Sequence, residues 1–88
     1  MDTYEDIYAR LESLWRGAAV KGRTPDLFIA DRRTFQTYSD GFANLFKPDH
    51  PEYFTNAEFI DLTFPGGQVR LHRLYSDNRF LEAVFLSD

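Results

Sequence analysis

Histidine is the first residue type in this chain that could do chemistry. His50 and His72 are its only histidines, and it has no cysteine. A zinc site would need both imidazoles together with a carboxylate such as Asp49, Glu52 or Asp61. His50 lies between two prolines and His72 lies on a predicted strand, so no helical spacing joins them. We therefore predict no metal site and no cofactor.

Hydroxyl and acidic side chains also lack a catalytic pattern. No serine lies in the Gly-x-Ser-x-Gly turn that exposes a hydrolase nucleophile. Asp49 and Glu52 could be drawn as an acid–base pair, but loop solubility explains them more simply. The segment Pro65-Gly66-Gly67 lacks the following Lys-Ser or Lys-Thr of a phosphate-binding loop, so it predicts a turn. We expect a protein that is not an enzyme.

Composition limits the chain to one small folded domain, residues 1–88. It has 88 residues, of which 43% are hydrophobic and 27% charged, unlike a disordered chain. The net charge of −4 argues against nucleic acid as a partner, because phosphate backbones would be repelled. Apolar stretches are only a few residues long, which argues against a membrane span and a secretory signal. We expect a soluble product.

Two helices are predicted in the first half of the chain. Apolar residues recur at three- and four-residue steps from Tyr4 to Ala18, after a possible cap at Asp2 or Thr3, and Gly22 suits the left-handed exit. Leu27 to Ala30 is a short apolar run, typical of a strand buried on both faces. Asp31 is then a candidate cap for a second helix.

The second helix carries one glycine and is followed by a loop. Its apolar stripe contains Phe35, Tyr38, Phe42, Leu45 and Phe46. Gly41 is expected to weaken this helix or to end it after Asp40. The segment from Lys47 to Pro51 contains two prolines and predicts a loop.

The last third of the chain changes to a two-residue period. Residues 58–64 and 68–74 alternate around the Pro65-Gly66-Gly67 corner, which predicts a β-hairpin, and residues 80–86 predict a third strand. The fold class is therefore α+β: helix–strand–helix followed by an antiparallel β-meander, with the two helices packed on a small sheet.

The stretch from Thr24 to Asp31, with its Pro25-Asp26, a hydrophobic run and Ala30-Asp31, resembles a segment of tailed-bacteriophage major capsid proteins of the Hong Kong 97 type. In that family an aromatic-containing helix follows, a role that falls here to Phe35 and Tyr38. A strand, a glycine corner, a second strand and a last strand come next, and residues 59–69 and 80–88 look similar. The likeness covers nearly the whole chain and corresponds to the axial domain, without the family's N-terminal arm, extended loop or spine helix.

This resemblance implies a structural module that makes protein–protein contacts around capsid symmetry axes. Its partners would be copies of itself or full-length capsid subunits, with weak homo-oligomers, no nucleic acid and no membrane, in the virion or the bacterial host cytoplasm. The loops 47–56 and 75–79 are the candidates for inter-subunit contact, through the polar residues Asp49, His50, Glu52, Asp77, Asn78 and Arg79. The same residues could equally be ordinary solvated loop residues.

Two other classes of function remain open from the sequence. The chain could be a free-standing small acidic protein that binds capsid subunits or a host factor and regulates assembly, without catalysis. It could also be a small enzyme or metal-binding domain, a reading that the absence of any catalytic pattern disfavours. The double arginine Arg32-Arg33 at a helix start opposes the helix dipole, and it would suit an acidic neighbour.

Overall fold

The computed structural model describes residues 3–50, 52–55 and 57–86, without the side chain of Thr55. Three helices and four strands follow one another along the chain: α1 (Tyr4–Val20), β1 (Leu27–Asp31), α2 (Arg32–Phe46), α3 (Glu52–Thr55), β2 (Phe59–Phe64), β3 (Gly67–Leu74) and β4 (Leu81–Val84). The predicted α+β class is confirmed. The short α3 was missed by the sequence analysis, which treated residues 47–56 as a loop.

Both long helices begin at the caps that the sequence suggests. The Thr3 side chain accepts a hydrogen bond from the backbone N–H of Asp6, which satisfies one free donor of the first turn of α1. The alternative cap, Asp2, lies outside the described residues. Asp31 caps α2 by accepting from the N–H groups of Arg33 and Thr34. After α1, Gly22 has a φ of 93°, the left-handed conformation predicted for it.

The four strands form one mixed sheet in the order β2-β3-β1-β4. β2 and β3 form the predicted antiparallel hairpin, with Leu62 opposite Val69. The prediction of a meander is wrong in its last step, because β4 pairs antiparallel with β1 rather than with β3. β1 lies between β3 and β4, and it runs parallel to β3. β1 is therefore a central strand, with backbone partners on both sides.

The two long helices cover one face of this sheet. The core contains the inward-facing strand residues Phe28, Ile60, Leu62, Val69 and Leu71 together with residues of α1 and α2. The prediction that β1 is buried on both faces is only half right. Phe28 and Ala30 are buried under the helices, whereas Leu27 and Ile29, on the other face, are half-exposed.

α2 continues through Gly41 to Phe46, so the alternative that it ends after Asp40 is wrong. The reason is a close crossing of the two helices. A Cβ atom placed on Gly41 would collide with the Cβ of Tyr4 on α1. Glycine at this position therefore lets the backbone of α2 approach α1, and the tertiary contact outweighs the low helix propensity.

Candidate functional site

The structure keeps the two histidines in different environments. The ring of His72 lies on the uncovered face of the sheet, 5.5 Å from the ring of Phe59. His50 lies in the loop after α2, where its Nδ1 is 3.2 Å from a carboxylate oxygen of Glu52 and its ring stacks on Tyr53 at 4.8 Å. Within residues 3–50, 52–55 and 57–86, no group of three or more His, Cys, Asp or Glu side chains is arranged to hold a metal ion.

Of the predicted contact residues, Asp49 and His50 lie between α2 and α3, and Glu52 is the first residue of α3. The turn begins at Lys47, whose φ of 45° gives α2 a left-handed C-cap without glycine. His50 and Glu52 then contact each other, and the carbonyl of His50 accepts from the N–H of Tyr53 at the start of α3. All three side chains are exposed or half-exposed. These contacts join His50 to Glu52 and Tyr53, while the side chains of Asp49 and Glu52 are exposed.

The other three predicted residues, Asp77, Asn78 and Arg79, lie between β3 and β4. A carboxylate oxygen of Asp77 is 3.6 Å from the guanidinium of Arg32, at the start of α2. This pair is highly exposed and contributes little to stability. The backbone N–H of Asn78 donates to the hydroxyl of Ser76, which tightens the turn. The first arginine of the double arginine thus has an acidic neighbour within the chain.

The register places three chain connections at one end of the sheet. Asp31, at the end of β1, is opposite Leu74, at the end of β3, and Phe59, at the start of β2, is opposite His72. β4 begins at the same end, because Leu81 is opposite Ala30. One end of the sheet therefore carries the start of α2, the entry into β2 and the loop 75–80. We refer to this end as the loop end.

Two aspartates hold β4 against β1, one at each end of β1. Asp31, only 1% exposed, accepts from the N–H of Phe80 at 3.0 Å with one carboxylate oxygen, while the other caps α2. Asp26 accepts from the N–H of Leu86 at 2.7 Å. Asp26 of the Pro-Asp segment and the cap residue Asp31 therefore hold the two ends of the last strand by hydrogen bonds. Their local sequence does not reveal this role.

The charged states of both aspartates are stabilised by these bonds. Burial alone would raise the pKa of Asp31, but hydrogen bonds from the Thr34 hydroxyl and from the backbone N–H groups of Phe80, Thr34 and Arg33 outweigh it and lower that pKa. The backbone bond from Leu86 is the largest cause that lowers the pKa of Asp26, with a further contribution from Arg23. Both groups therefore stay ionised in their structural roles.

An aromatic cleft of about 310 Å³ opens between the two long helices and β2, a feature that the sequence analysis did not identify. Tyr4, Tyr8, Tyr38, Phe42 and Phe46 line its helix side. Residues 61–64 of β2 form its other side. The signal was present as four-residue spacing of rings on both helices, but the same spacing also describes a buried stripe.

The cleft is only partly filled by its own rings. The rings of Tyr4 and Tyr38 lie 4.9 Å apart, and their hydroxyl groups are hydrogen-bonded. Burial raises the pKa of Tyr38 far above its ordinary value, so this pair stays neutral. Tyr38 is 2% exposed, whereas Phe46 at the mouth is 62% exposed. An apolar surface is therefore open to a binding partner at the mouth.

Comparison of the chain with protein-family models, with curated proteins and with solved structures finds no match. In the described part of the chain, no helix is long and apolar enough to cross a membrane.

Proposed function

We propose that this chain is a structural, non-enzymatic module, similar to the axial domain of a tailed-phage major capsid protein, which contacts neighbouring subunits around a symmetry axis. Its partners are copies of itself or full-length capsid subunits, in the virion or in the cytoplasm of the bacterial host. It functions by packing its loops against neighbouring subunits and does not catalyse a reaction.

The observation that carries this proposal is that Asp26 and Asp31 each accept a hydrogen bond from a backbone N–H group next to β4. Both residues lie in the segment from Thr24 to Asp31 on which the resemblance rests, and both hold the last strand in place. The segment that carries the resemblance therefore has a structural role in this chain, as the proposal requires. An enzyme would instead need such aspartates free to act on a substrate.

Exposed charges at the start of α2 and in the segment after its end supply two surfaces suited to an axis. Contacts in a closed ring use two different patches on each copy, so that one patch meets the other on the next copy. Asp49, in the loop after α2, and Glu52, the first residue of α3, are exposed acidic groups. Arg32 and Arg33 are exposed basic groups at the start of α2. Acidic and basic patches of this kind would attract each other between neighbouring copies.

The first test measures self-association by sedimentation velocity over a series of protein concentrations. We expect weak association of the wild-type chain that increases with concentration and decreases with salt. The double substitution Asp49→Lys and Glu52→Lys should weaken it. Glu12→Lys makes the same kind of charge change on the solvent side of α1 and should leave association unchanged.

The second test asks whether the chain captures a purified full-length phage capsid protein that carries the same Pro-Asp segment. Capture that the acidic-loop substitutions weaken would support the proposal. A chain that stays monomeric at all concentrations and captures no capsid subunit would overturn it. Such a chain, found in a tight complex with one host protein, would be the small acidic regulator instead.

A further inference from the structure

The outer edge of β2 offers a row of backbone groups that no strand of the described residues pairs with. The carbonyl of Glu58 accepts from the N–H of Arg73, across the continuation of the β2–β3 register. Because bonded and non-bonded pairs alternate in an antiparallel ladder, Ile60 and Leu62 also point their backbone groups towards β3. The N–H and C=O groups of Phe59, Asp61 and Thr63 therefore point away from the sheet.

The aromatic cleft lies directly beside this edge. Leu62 and Phe64, whose side chains face the helices, line the cleft opposite Tyr4 and Tyr8. A second depression of about 260 Å³ continues from Phe64 along α1, past Trp15. We refer to the aromatic cleft and the outer edge of β2 beside it as the groove; residues 61–64 form one wall, and the rings of α1 and α2 form the other. An added strand would place every second side chain in this groove.

A second copy of β2 is a poor occupant of this edge. In the symmetric antiparallel pairing with the greatest overlap, Asp61 of one copy would lie directly opposite Asp61 of the other. Like charges that face each other across strands are destabilising. Exposed charges on edge strands commonly prevent such self-pairing. The carboxylate would instead favour a strand with a cation at that position.

The surroundings of Asp61 add to this preference. Its side chain is 65% exposed, and its Oδ1 accepts from Nε of Arg70 at 3.1 Å on the β3 side. A carboxylate has further lone pairs for a second donor on the open side. Glu58, just before β2, is also exposed, so a second acidic group precedes this edge.

We propose that the groove binds an extended segment of a partner protein, which adds antiparallel to β2 as a fifth strand. The segment carries apolar side chains at the positions that face the aromatic cleft, and a lysine or arginine at the position opposite Asp61. The outer edge of β2 is not one of the surfaces proposed above for capsid contacts, and the site does not depend on the capsid role.

The probe is a blocked seven-residue peptide with valine at the odd positions, threonine at the second and sixth, and lysine at the fourth. Hydrogen exchange of the backbone amides is followed by NMR on the full-length labelled chain. We expect the amides of Phe59, Asp61 and Thr63 to exchange more slowly when the peptide is added. The amides of Ile60 and Leu62, already bonded to β3, should change little.

Two N-methylated peptides separate strand addition from simple apolar contact. Methyl groups on the lysine and threonine nitrogens remove the donors that face β2 and should abolish binding. Methyl groups on the valine nitrogens at positions 3 and 5 lie on the opposite edge and should be tolerated. Equal binding of both methylated peptides would overturn the proposal.

A charge exchange tests the assigned chemistry. Replacing the lysine of the peptide by glutamate should weaken binding roughly threefold to tenfold. The substitution Asp61→Lys should reverse this preference, whereas Glu82→Lys, on the other edge strand β4, should leave it unchanged. An unreversed preference, absence of binding at millimolar peptide, or protection of these amides by rising protein concentration alone would each overturn the proposal.

Discussion

Substitution of Asp31 by alanine should destabilise the fold more than its single position suggests, because one buried carboxylate joins α2, β1 and β4. Its two oxygens accept three backbone N–H bonds, from Arg33, Thr34 and Phe80 at 3.0–3.1 Å. Loss of an N-cap side chain costs about 1–2 kcal/mol. A partly buried N–H of Phe80 without an acceptor costs about 1–3 kcal/mol more. Relief of a buried charge offsets part of this cost.

We therefore expect Asp31→Ala to lower the free energy of unfolding by about 2–4 kcal/mol, measured by urea denaturation at pH 7. The slope of the unfolding free energy against urea should stay unchanged, because the native fold is kept. Asp31→Asn keeps one acceptor oxygen, but its NH₂ group faces N–H donors that the second oxygen had accepted from. Its loss of unfolding free energy should therefore be smaller than that of Asp31→Ala. Asp26→Ala, at the exposed end of β1, is the matched control and should lose less.

Acid titration provides an independent check on the same residue. A carboxylate with a lowered pKa stabilises the fold above its unfolded pKa and loses that contribution as the pH falls through its folded pKa. The stability difference between wild type and Asp31→Asn should thus be large at neutral pH and shrink below about pH 4. The structural role of Asp31 would be refuted if Asp31→Ala lowered the unfolding free energy by less than about 0.5 kcal/mol at pH 7. It would also be refuted if the stability difference between wild type and Asp31→Asn did not change with pH.

Three further substitutions test the packing of the helices. Trp15→Ala should lower the unfolding free energy by about 3–5 kcal/mol, because its ring is 3% exposed and packs 5.2 Å from that of Phe64. Gly41→Ala should be destabilising despite the better helix propensity of alanine, since the added methyl group meets Tyr4. Gly17→Ala, where nothing lies within 4 Å of the added atom, should stabilise by about 0.5–1 kcal/mol. All three are measured by the same urea denaturation, and a stabilising Gly41→Ala would contradict the close helix crossing.

One half-buried cation has an environment that the sequence pattern did not suggest. Arg73 falls in the same alternating row as Val69 and Leu71, on the helix face of β3. Its guanidinium lies 5.9 Å from the ring of Phe35, and its Nη2 donates to the hydroxyl of Tyr75. The long stem carries Nη2 out to Tyr75, whereas Nε stays buried without a hydrogen-bond partner among the described residues.

Local sequence determined the elements of this protein, because their signals act over a few residues. The spacing of Ile7, Leu11 and Trp15 predicts α1, the Asp31 cap predicts the start of α2, and a glycine corner predicts the hairpin. Each depends on hydrogen bonds or side-chain periods within one turn or one strand pair. The α+β class follows from their order.

Tertiary structure alone decided how these elements meet. β4 pairs with β1, and Gly41 remains helical, because contacts far apart in the chain outweigh local preference. The aromatic cleft and the open edge of β2 also arise only when α1, α2 and β2 come together. Periodicity states which residues share a face, but it does not state which face of another element will cover them, and that pairing creates the surfaces on which both proposals depend.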